Sequence, residues 1–190
     1  MPVIIIGIVA EAGRLLGAPH LIEIASVHVD GCLYHGDSGV YFAEKLVAEG
    51  GKVKVPTTLN VGALDLLHPE RVRGDAHFRD MARRLMDAHL SLGCAQGFTC
   101  APYQTGHRPA LGEQVAWGES NAVAFANSVL GARTNRYGDF LDICAAIVGR
   151  APYCGLHLDC NRRAQAVVSP HQLSPELKHM GAFSPVLGAW

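Results

Sequence analysis

The stretch LIEIASVHVDG, residues 21–31, decides the fold class of this sequence. Its first nine residues are mostly apolar and rich in Ile and Val, and the stretch runs out into the turn-forming pair Asp30-Gly31. A short apolar run that ends at turn residues is typical of a strand buried inside a sheet. We therefore expect a buried strand over residues 21–29, followed by a loop at its carboxyl end.

Predicted helices and strands alternate along the rest of the chain. Strands separated by helices are typical of an α/β layered domain with a mostly parallel sheet, in which ligands lie outside the carboxyl ends of the strands. Polar caps and glycines indicate where the helices begin and end. We predict helices over residues 3–16, 39–49, 76–92, 121–130 and 140–148, the last four capped by Ser38, Asp75, Ser120 and Asp139, and strand or extended segments over residues 52–55, 94–100 and 153–158.

The composition limits the functions that this chain can have. With 190 residues, of which 17% are charged, it suits one soluble domain or a large part of one. The net charge of -1 argues against nucleic-acid or anionic-membrane partners. The apolar start over residues 3–10 is too short to span a membrane and lacks the basic leader of a signal peptide. We expect a cytoplasmic protein, in which the six cysteines are reduced core thiols, metal ligands or catalytic groups.

Three loops after predicted strands could carry chemistry. Residues 26–36, SVHVDGCLYHG, place two imidazoles, a carboxylate and a thiol between glycines; residues 55–62, VPTTLNVG, offer hydroxyls and the Asn60 amide; residues 99–103, TCAPY, contain Cys100. Each has an ordinary structural alternative: a strand end with a turn, a turn bonded to its own backbone, and a small buried hydrophobe. If the sheet is parallel, we expect the three loops to converge on one edge of it, with Asn60 and Cys100 on the same side.

A fourth region, residues 117–121 (WGESN), places Glu119 and Ser120 at the start of a predicted helix. Helix N-termini bind anions, and a carboxylate beside one can transfer protons, although capping alone also explains Ser120. After that helix, Arg133 could bind a substrate carboxylate through paired hydrogen bonds or form a surface salt bridge. We take Glu119 and Ser120 as candidate catalytic residues and Arg133 as a candidate substrate-binding residue.

Five stretches of the sequence are informative when taken together: HVDG (28–31), VPTTLN (55–60), TCAPY (99–103), ES (119–120) with ANSVLGARTNR (126–136), and GLH (155–157). Together they resemble one family, the catalytic domain of aconitase X. They occur in the order found in that family and cover nearly the whole chain, and the run over residues 125–136 is quite specific. The resemblance implies a three-layer α/β/α aconitase-like domain with a mostly parallel sheet, and an iron-dependent dehydratase.

The same resemblance implies roles for individual residues and a substrate. Cys100 would bind an iron–sulfur cluster or iron as one of three cysteine ligands. Residues 31–36 and 60–62 are similar to the bacterial branch that dehydrates cis-3-hydroxy-L-proline to pyrroline-2-carboxylate, whereas the archaeal phosphomevalonate branch has serine and proline at Leu33 and Val61. We therefore expect an iron-assisted hydro-lyase of hydroxyproline metabolism, with phosphomevalonate as the second candidate substrate. The positions that match the family's substrate pocket are Gly31, Cys32, Leu33, Asn60, Val61, Glu119 and Ser120.

The resemblance covers only part of the family's catalytic chain, whose other two cysteine ligands match no residue here. We expect residues 1–190 to be a partial, apparently truncated catalytic domain that is incomplete as an enzyme on its own. Its implied partners are the rest of the catalytic domain, a small swivelling domain and a small-molecule substrate. Two other hypotheses stay open: a non-catalytic remnant of the fold, and a zinc protein that uses Cys100 with His28 or His157.

Overall fold

Helices alternate with short strands in the part of the chain that the computed structural model describes, residues 2–164 and residue 166. No helix within these residues has the length and hydropathy that a membrane crossing requires. A π-helical turn, Ala126–Leu130, continues α4, and single 3-10 turns lie at Pro69–Arg71, Pro102–Gln104, Gly155–His157 and Asp159–Arg162. The main elements are α1 (Pro2–Leu15), β1 (Leu21–Glu23), β2 (Val27–Val29), α2 (Asp37–Ala48), β3 (Thr57–Leu59), α3 (Ala76–Ser91), β4 (Ala116–Trp117), α4 (Ser120–Phe125), α5 (Leu141–Val148) and β5 (Arg150–Pro152).

The strand β2 is the centre of a three-stranded parallel sheet with the order β3-β2-β4. Val27 lies opposite Thr57 in β3 and Ala116 in β4, so the three strands end at the same edge. β1 and β5 form a separate antiparallel pair, in which Leu21 lies opposite Pro152. The strand predicted over residues 21–29 is therefore two strands that belong to two sheets, and the parallel sheet is confirmed.

The side chains of β2 alternate between two hydrophobic cores, one on each face of the sheet. Val27 and Val29 are fully buried in the core that contains residues of α1 and α5. His28 lies on the opposite face against Trp117, which belongs to the core shared with α4. Neighbouring strand residues point to opposite faces, so this short strand contributes to both cores. Helices on both faces of a parallel sheet give the layered α/β arrangement that the sequence predicts.

Two strand predictions are wrong. Residues 52–55 form a loop, in which the Val53 N–H donates to the Leu92 carbonyl at 2.9 Å. β3 begins after Pro56, whose ring nitrogen has no hydrogen to give to a ladder. Residues 153–158 contain a 3-10 turn instead of a strand. Short apolar runs look like buried strands whether or not a partner strand lies beside them, so both errors have one cause.

The helices are predicted correctly in type, but three of the four predicted caps are wrong. α5 begins after Phe140 and not after Asp139, and no side chain caps it. α3 begins after Asp75, whose carboxylate caps it as predicted. α2 begins after Gly36 and not after Ser38, because Gly36 adopts a φ of 139° that glycine reaches without strain. The N-cap of α4 is Glu119, so Ser120 is the first helical residue and not the cap.

Gly118, directly after β4, lets the chain approach the end of β2 closely. Its N–H donates to the His28 carbonyl at 2.8 Å. A Cβ added at Gly118 would lie 2.8 Å from the Asp30 Cβ, closer than real Cβ atoms come, and would make a tight contact of 3.2 Å with the Tyr137 carbonyl oxygen. Glycine is therefore required here for space, and its presence brings residue 119 beside residue 30.

Replacing Gly118 with alanine should lower the free energy of unfolding by about 1–3 kcal/mol, because the new methyl group overpacks this edge of the sheet. Gly138→Ala is the matched control, since no atom lies within 4 Å of the Cβ that it would add. Urea denaturation of both variants measures the effect. Equal stability of the two variants would contradict the close approach at Gly118.

Candidate active site at the carboxyl edge of the sheet

Polar side chains that follow the three parallel strands meet at one edge of the sheet. Asp30 follows β2, Asn60 follows β3, and Glu119 follows β4 after one intervening residue. The Asn60 amide donates to Asp30 Oδ1 at 2.5 Å and to Glu119 Oε2 at 2.9 Å. Ligands of open α/β sheets bind at this edge, so these residues lie where the fold places a site.

Both polar atoms of the Asn60 side chain form hydrogen bonds within the protein. It is 1% exposed, and its Oδ1 accepts the Val61 N–H at 2.8 Å. That bond fixes which end of the amide carries the nitrogen, so both Nδ2 hydrogens face the two carboxylates. Two neighbouring carboxylates repel each other, and the shared amide hydrogens offset part of this repulsion.

Cys100 joins the same edge and is partly accessible. Burial raises the pKa of the Cys100 thiol above its ordinary value and the Glu119 carboxylate raises it further, whereas the Val61 backbone N–H lowers it. The backbone places Cys100 on the same edge as Asn60, because the N–H of the preceding residue, Thr99, donates to the Leu59 carbonyl at 3.2 Å. The predicted convergence of the loops is confirmed. In this setting the thiolate form is favoured when a cation binds beside it.

The side chain of Cys32 lies behind the edge. It is fully buried, its Sγ–H donates to the Asn60 carbonyl at 3.1 Å, and burial raises the pKa of its thiol. The Cys32 side chain thus positions the backbone of Asn60. Any contact between Cys32 and a ligand would come from the backbone of Cys32. Gly31 and Leu33 line a separate cavity of about 100 Å³, whose lining does not include Asp30, Asn60 or Glu119. Val61 is 37% exposed.

Arg133, the candidate carboxylate-binding residue, lies elsewhere, and Arg136 occupies the edge. Arg133 Nη2 is 2.6 Å from Asp159 Oδ1, so the salt-bridge alternative is the one observed. Arg136 donates from Nε to Ser120 Oγ at 3.2 Å, and its Nη2 lies 3.4 Å from Asp30 Oδ2. Its side chain is 53% exposed, which leaves guanidinium hydrogens available to a ligand.

The backbone explains why Arg136 and not Arg133 reaches the edge. The chain after α4 returns alongside β4, with Arg133 opposite Gln114 and Arg136 opposite Trp117. Extended chain rises roughly 3.3 Å per residue, so the two arginines start roughly 10 Å apart along the sheet. Only the later one lies at the carboxyl end. We call Asp30, Asn60, Cys100, Glu119, Ser120 and Arg136 the edge cluster.

The zinc hypothesis receives no support from the two histidines. His157 has both ring nitrogens occupied, Nδ1 by Gln114 Oε1 and Nε2 by the Tyr137 hydroxyl, each at 2.6 Å. His28 is fully buried in β2, and its Nδ1 lies 2.8 Å from Thr58 Oγ1. Within residues 2–164 and residue 166, no three His, Cys, Asp or Glu side chains are grouped so that they could hold a metal ion.

The family model described as "Aconitase X first domain" matches residues 3–160. The chain belongs to the aconitase X family. The crystal structure of Thermococcus kodakaraensis aconitase X in its holo-form is similar to this chain, with a TM-score of 0.73 and 40% identity over 84% of this chain and 40% of that one. The α/β aconitase-like fold predicted from the sequence is thereby confirmed.

Similar aconitase X proteins are considerably longer than this chain. A cis-3-hydroxy-L-proline dehydratase of Pseudomonas aeruginosa is 45% identical over 185 residues, and one of Hypocrea jecorina is 48% identical over 181 residues. A phosphomevalonate dehydratase large subunit of Thermococcus kodakarensis is 41% identical over 163 residues. The matches cover 95%, 95% and 85% of this chain but 31%, 30% and 40% of the relatives.

Asp142 of this aconitase X chain anchors the loop after β2. It is fully buried, and its Oδ2 accepts the backbone N–H groups of Asp30 at 2.7 Å and Gly31 at 3.1 Å, while its Oδ1 accepts that of Ile143 at 2.6 Å. Burial raises the pKa of the Asp142 carboxyl to about 7, although the three N–H groups act to lower it. Sequence reasoning missed this residue, because an aspartate near a helix start looks like a capping residue.

The raised pKa of Asp142 predicts a pH dependence of stability. A carboxyl whose pKa is higher in the folded than in the unfolded protein stabilises fully below about pH 4, and this contribution is lost as the pH rises toward 7. The difference in free energy of unfolding between the native chain and Asp142→Asn should therefore shrink across that window. Urea denaturation at several pH values measures it, and a pH-independent difference would show that burial does not govern this group.

Proposed function

We propose that this chain forms part of an iron-dependent hydro-lyase that eliminates water from cis-3-hydroxy-L-proline to give pyrroline-2-carboxylate. The supporting observation is the edge cluster, which brings a thiol, a half-buried carboxylate and an exposed guanidinium to one edge of the sheet. Relatives that are 45% and 48% identical carry the name of this activity. Because the chain spans about a third of their length, the activity belongs to the complete enzyme.

Cys100 fits one position of an iron–sulfur centre. Among the six cysteines it alone combines a place in the edge cluster with partial access, and a metal cation bound beside it would favour its thiolate. When bound, the centre supplies Lewis-acid activation of the hydroxyl group that leaves. Iron–sulfur clusters take several cysteine ligands, so the remaining ligands come from the rest of the catalytic domain, which a small swivelling domain accompanies.

Glu119 is the candidate acid/base. Its Oε2 accepts the Asn60 amide at 2.9 Å, and its Oε1 has a long contact of 3.4 Å to the Asn121 N–H. The hydrogen bond from Asn60 to Oε2 therefore orients the Glu119 carboxylate, and Oε1 can accept a proton. In the proposed reaction Glu119 removes the proton from the carbon next to the substrate carboxylate. The electron pair of that C–H bond forms the carbon–carbon double bond as the C3–O bond breaks, and the departing hydroxide takes up the proton held by Glu119 to form water. The resulting enamine tautomerises to pyrroline-2-carboxylate.

Arg136 and Ser120 are suited to the substrate carboxylate. The Arg136 guanidinium has five N–H donors, and the contacts to Ser120 and Asp30 use two of them. A carboxylate that docks on the free donors would present its α-carbon to the same edge as Glu119. Paired hydrogen bonds from arginine give such docking both strength and direction.

Hydroxyproline is favoured over phosphomevalonate as the substrate. The relatives named for phosphomevalonate dehydration are 38–41% identical, below the 45% and 48% of the hydroxyproline relatives. Leu33 and Val61 stand where the resemblance places serine and proline in the phosphomevalonate branch. A phosphate group also requires cationic partners, and within the edge cluster Arg136 is the single positive charge.

The decisive experiment measures pyrroline-2-carboxylate formation from cis-3-hydroxy-L-proline by the complete enzyme, with iron and under anaerobic conditions. Glu119→Gln should lower kcat roughly 10²–10⁴-fold, the usual contribution of general acid–base catalysis. Glu70→Gln, at an exposed position outside the edge cluster, is the matched control and should retain activity. The 190-residue chain alone should give no product. An inactive complete enzyme would favour the non-catalytic remnant, and turnover of phosphomevalonate alone would favour the alternative substrate.

The two arginines provide a second test in the complete enzyme. Arg136→Met should raise KM for cis-3-hydroxy-L-proline by roughly 10–100-fold, because a charge-assisted contact with the substrate carboxylate is lost. Arg133→Met removes an equal charge from a residue that pairs with Asp159, and its KM should stay unchanged. Thermal unfolding of both variants checks that each is folded. An equal increase in KM would show that Arg136 has no specific role in binding.

A further inference from the structure

Helix α1 is apolar on more of its circumference than the domain buries. Ile5 and Val9 are buried in the core that also contains residues of α5. Ile4, Ile8 and Leu15 form a stripe along a different side of the helix, because residues four and eleven positions apart lie above one another. All three side chains are exposed. A helix that is apolar on several sides is normally enclosed by protein, so one side of α1 lacks the contact that its sequence suits.

Large exposed apolar side chains are concentrated in and beside this helix. Within the part of the chain that the structure describes, twelve such side chains are exposed, and five of them fall between residues 4 and 16. Single exposed apolar residues are common on soluble proteins, whereas a group of them in one place marks an interaction site. The five are Ile4, Ile6, Ile8, Leu15 and Leu16.

A groove beside α1 extends this apolar area. It has a volume of about 290 Å³ and lies between α1, the loop after α2 and the end of α5. Ile6, which is among the five exposed side chains, also lines the groove, and Val53 and Val148 add further apolar wall. Pockets of this kind receive the central apolar side chain of a binding partner. We call the five exposed side chains and this groove the α1 surface.

The charges of α1 favour a protein partner over a lipid surface. Helices that lie on membranes carry several lysines or arginines on their polar face. Arg14 is the single cation of α1, and its Nη2 lies 2.6 Å from Glu11 Oε1, so its charge is already paired within the helix. The α1 surface therefore offers apolar contact without the positive charge that would attract anionic lipids.

The similar proteins indicate which polypeptide is available to cover this surface. The match covers 31% of the Pseudomonas aeruginosa dehydratase and 40% of the Thermococcus kodakarensis large subunit. More than half of that large subunit thus lies outside the match, although it is one subunit of its enzyme. The family model of the first domain begins at residue 3, so α1 belongs to the domain against which this further length of chain packs.

We propose that the α1 surface is the docking face for the rest of the catalytic domain, with an apolar side chain of that remainder seated in the groove. α1 lies on the side of the parallel sheet that faces α5, opposite the side on which His28 meets Trp117. The remainder would therefore hold the first domain at a face distant from the edge cluster. The inference rests on the length of the relatives and not on the proposed reaction.

Hydrogen exchange provides the first test of this docking face. In the complete enzyme, the backbone amides of residues 4–16 should exchange at least about tenfold more slowly than in the 190-residue chain. The expected cause is that a docked partner suppresses the local opening of α1. Mass spectrometry of peptides from both proteins measures the difference.

Leu15→Glu tests the contact directly. Leu15 is 72% exposed in this chain, so the substitution should leave the melting temperature of the 190-residue chain unchanged. In the complete enzyme the same change places a charge in an apolar interface, so the slow exchange should be lost and the melting temperature lowered by several degrees. Leu67→Glu is the matched control. Leu67 is 86% exposed in the loop after β3, and this substitution should change neither measurement in either protein.

Four results would each overturn the proposal. Equal exchange in the two proteins, or a complete enzyme that Leu15→Glu leaves unaltered, would show that the remainder does not cover α1. Slow exchange in the 190-residue chain that is lost on deletion of residues 167–190 would assign the surface to that segment. Exchange that slows as the concentration of the complete enzyme rises would assign it to a second copy. None of these measurements uses dehydration activity, so failure of the proposed reaction would leave them unchanged.

Discussion

The amide side chain of Asn60 connects the ends of all three parallel strands, and the arrangement of the candidate site depends on it. One carboxylate comes from the end of β2 and the other from beyond β4, and the amide between them gives one hydrogen to each. An aspartate at this position would have no hydrogens to give, and three carboxylates would then repel one another in a half-buried setting. A neutral donor of this shape is therefore required between Asp30 and Glu119.

Two buried side chains bond to the backbone near Asn60 and Asp30 and hold these residues in position. The thiol of Cys32 bonds to the Asn60 carbonyl, and the carboxylate of Asp142 bonds to the N–H groups of Asp30 and Gly31. Neither anchor reaches the exposed surface, since both side chains are fully buried. The chain thus separates residues that meet a ligand from residues that position them. The loop after β2 belongs to both groups, because Asp30 is part of the edge cluster whereas Cys32 positions Asn60.

The sequence predicts the parts of this molecule that depend on local pattern. The apolar run around Val27, the cap at Asp75 and the rule that parallel strands end at one edge were sufficient for the layered fold and for the meeting of Asn60 with Cys100. Features set by distant pairing were not predictable. β4 has two residues, too few for a recognisable period, and without it the register that brings Arg136 to the edge is invisible.

The antiparallel pairing of β1 with β5 joins the two ends of the segment that contains the edge cluster. Leu21 lies opposite Pro152, and the Tyr153 N–H donates to the His20 carbonyl at 3.0 Å, with the two rings stacked. Chain termini that lie side by side can be linked by a few residues, and new termini can then be opened in an exposed loop. The loop around residues 63–74, which is largely exposed, offers such a place. The segment between β1 and β5 therefore has its two ends side by side, the arrangement that circular permutation and domain insertion require.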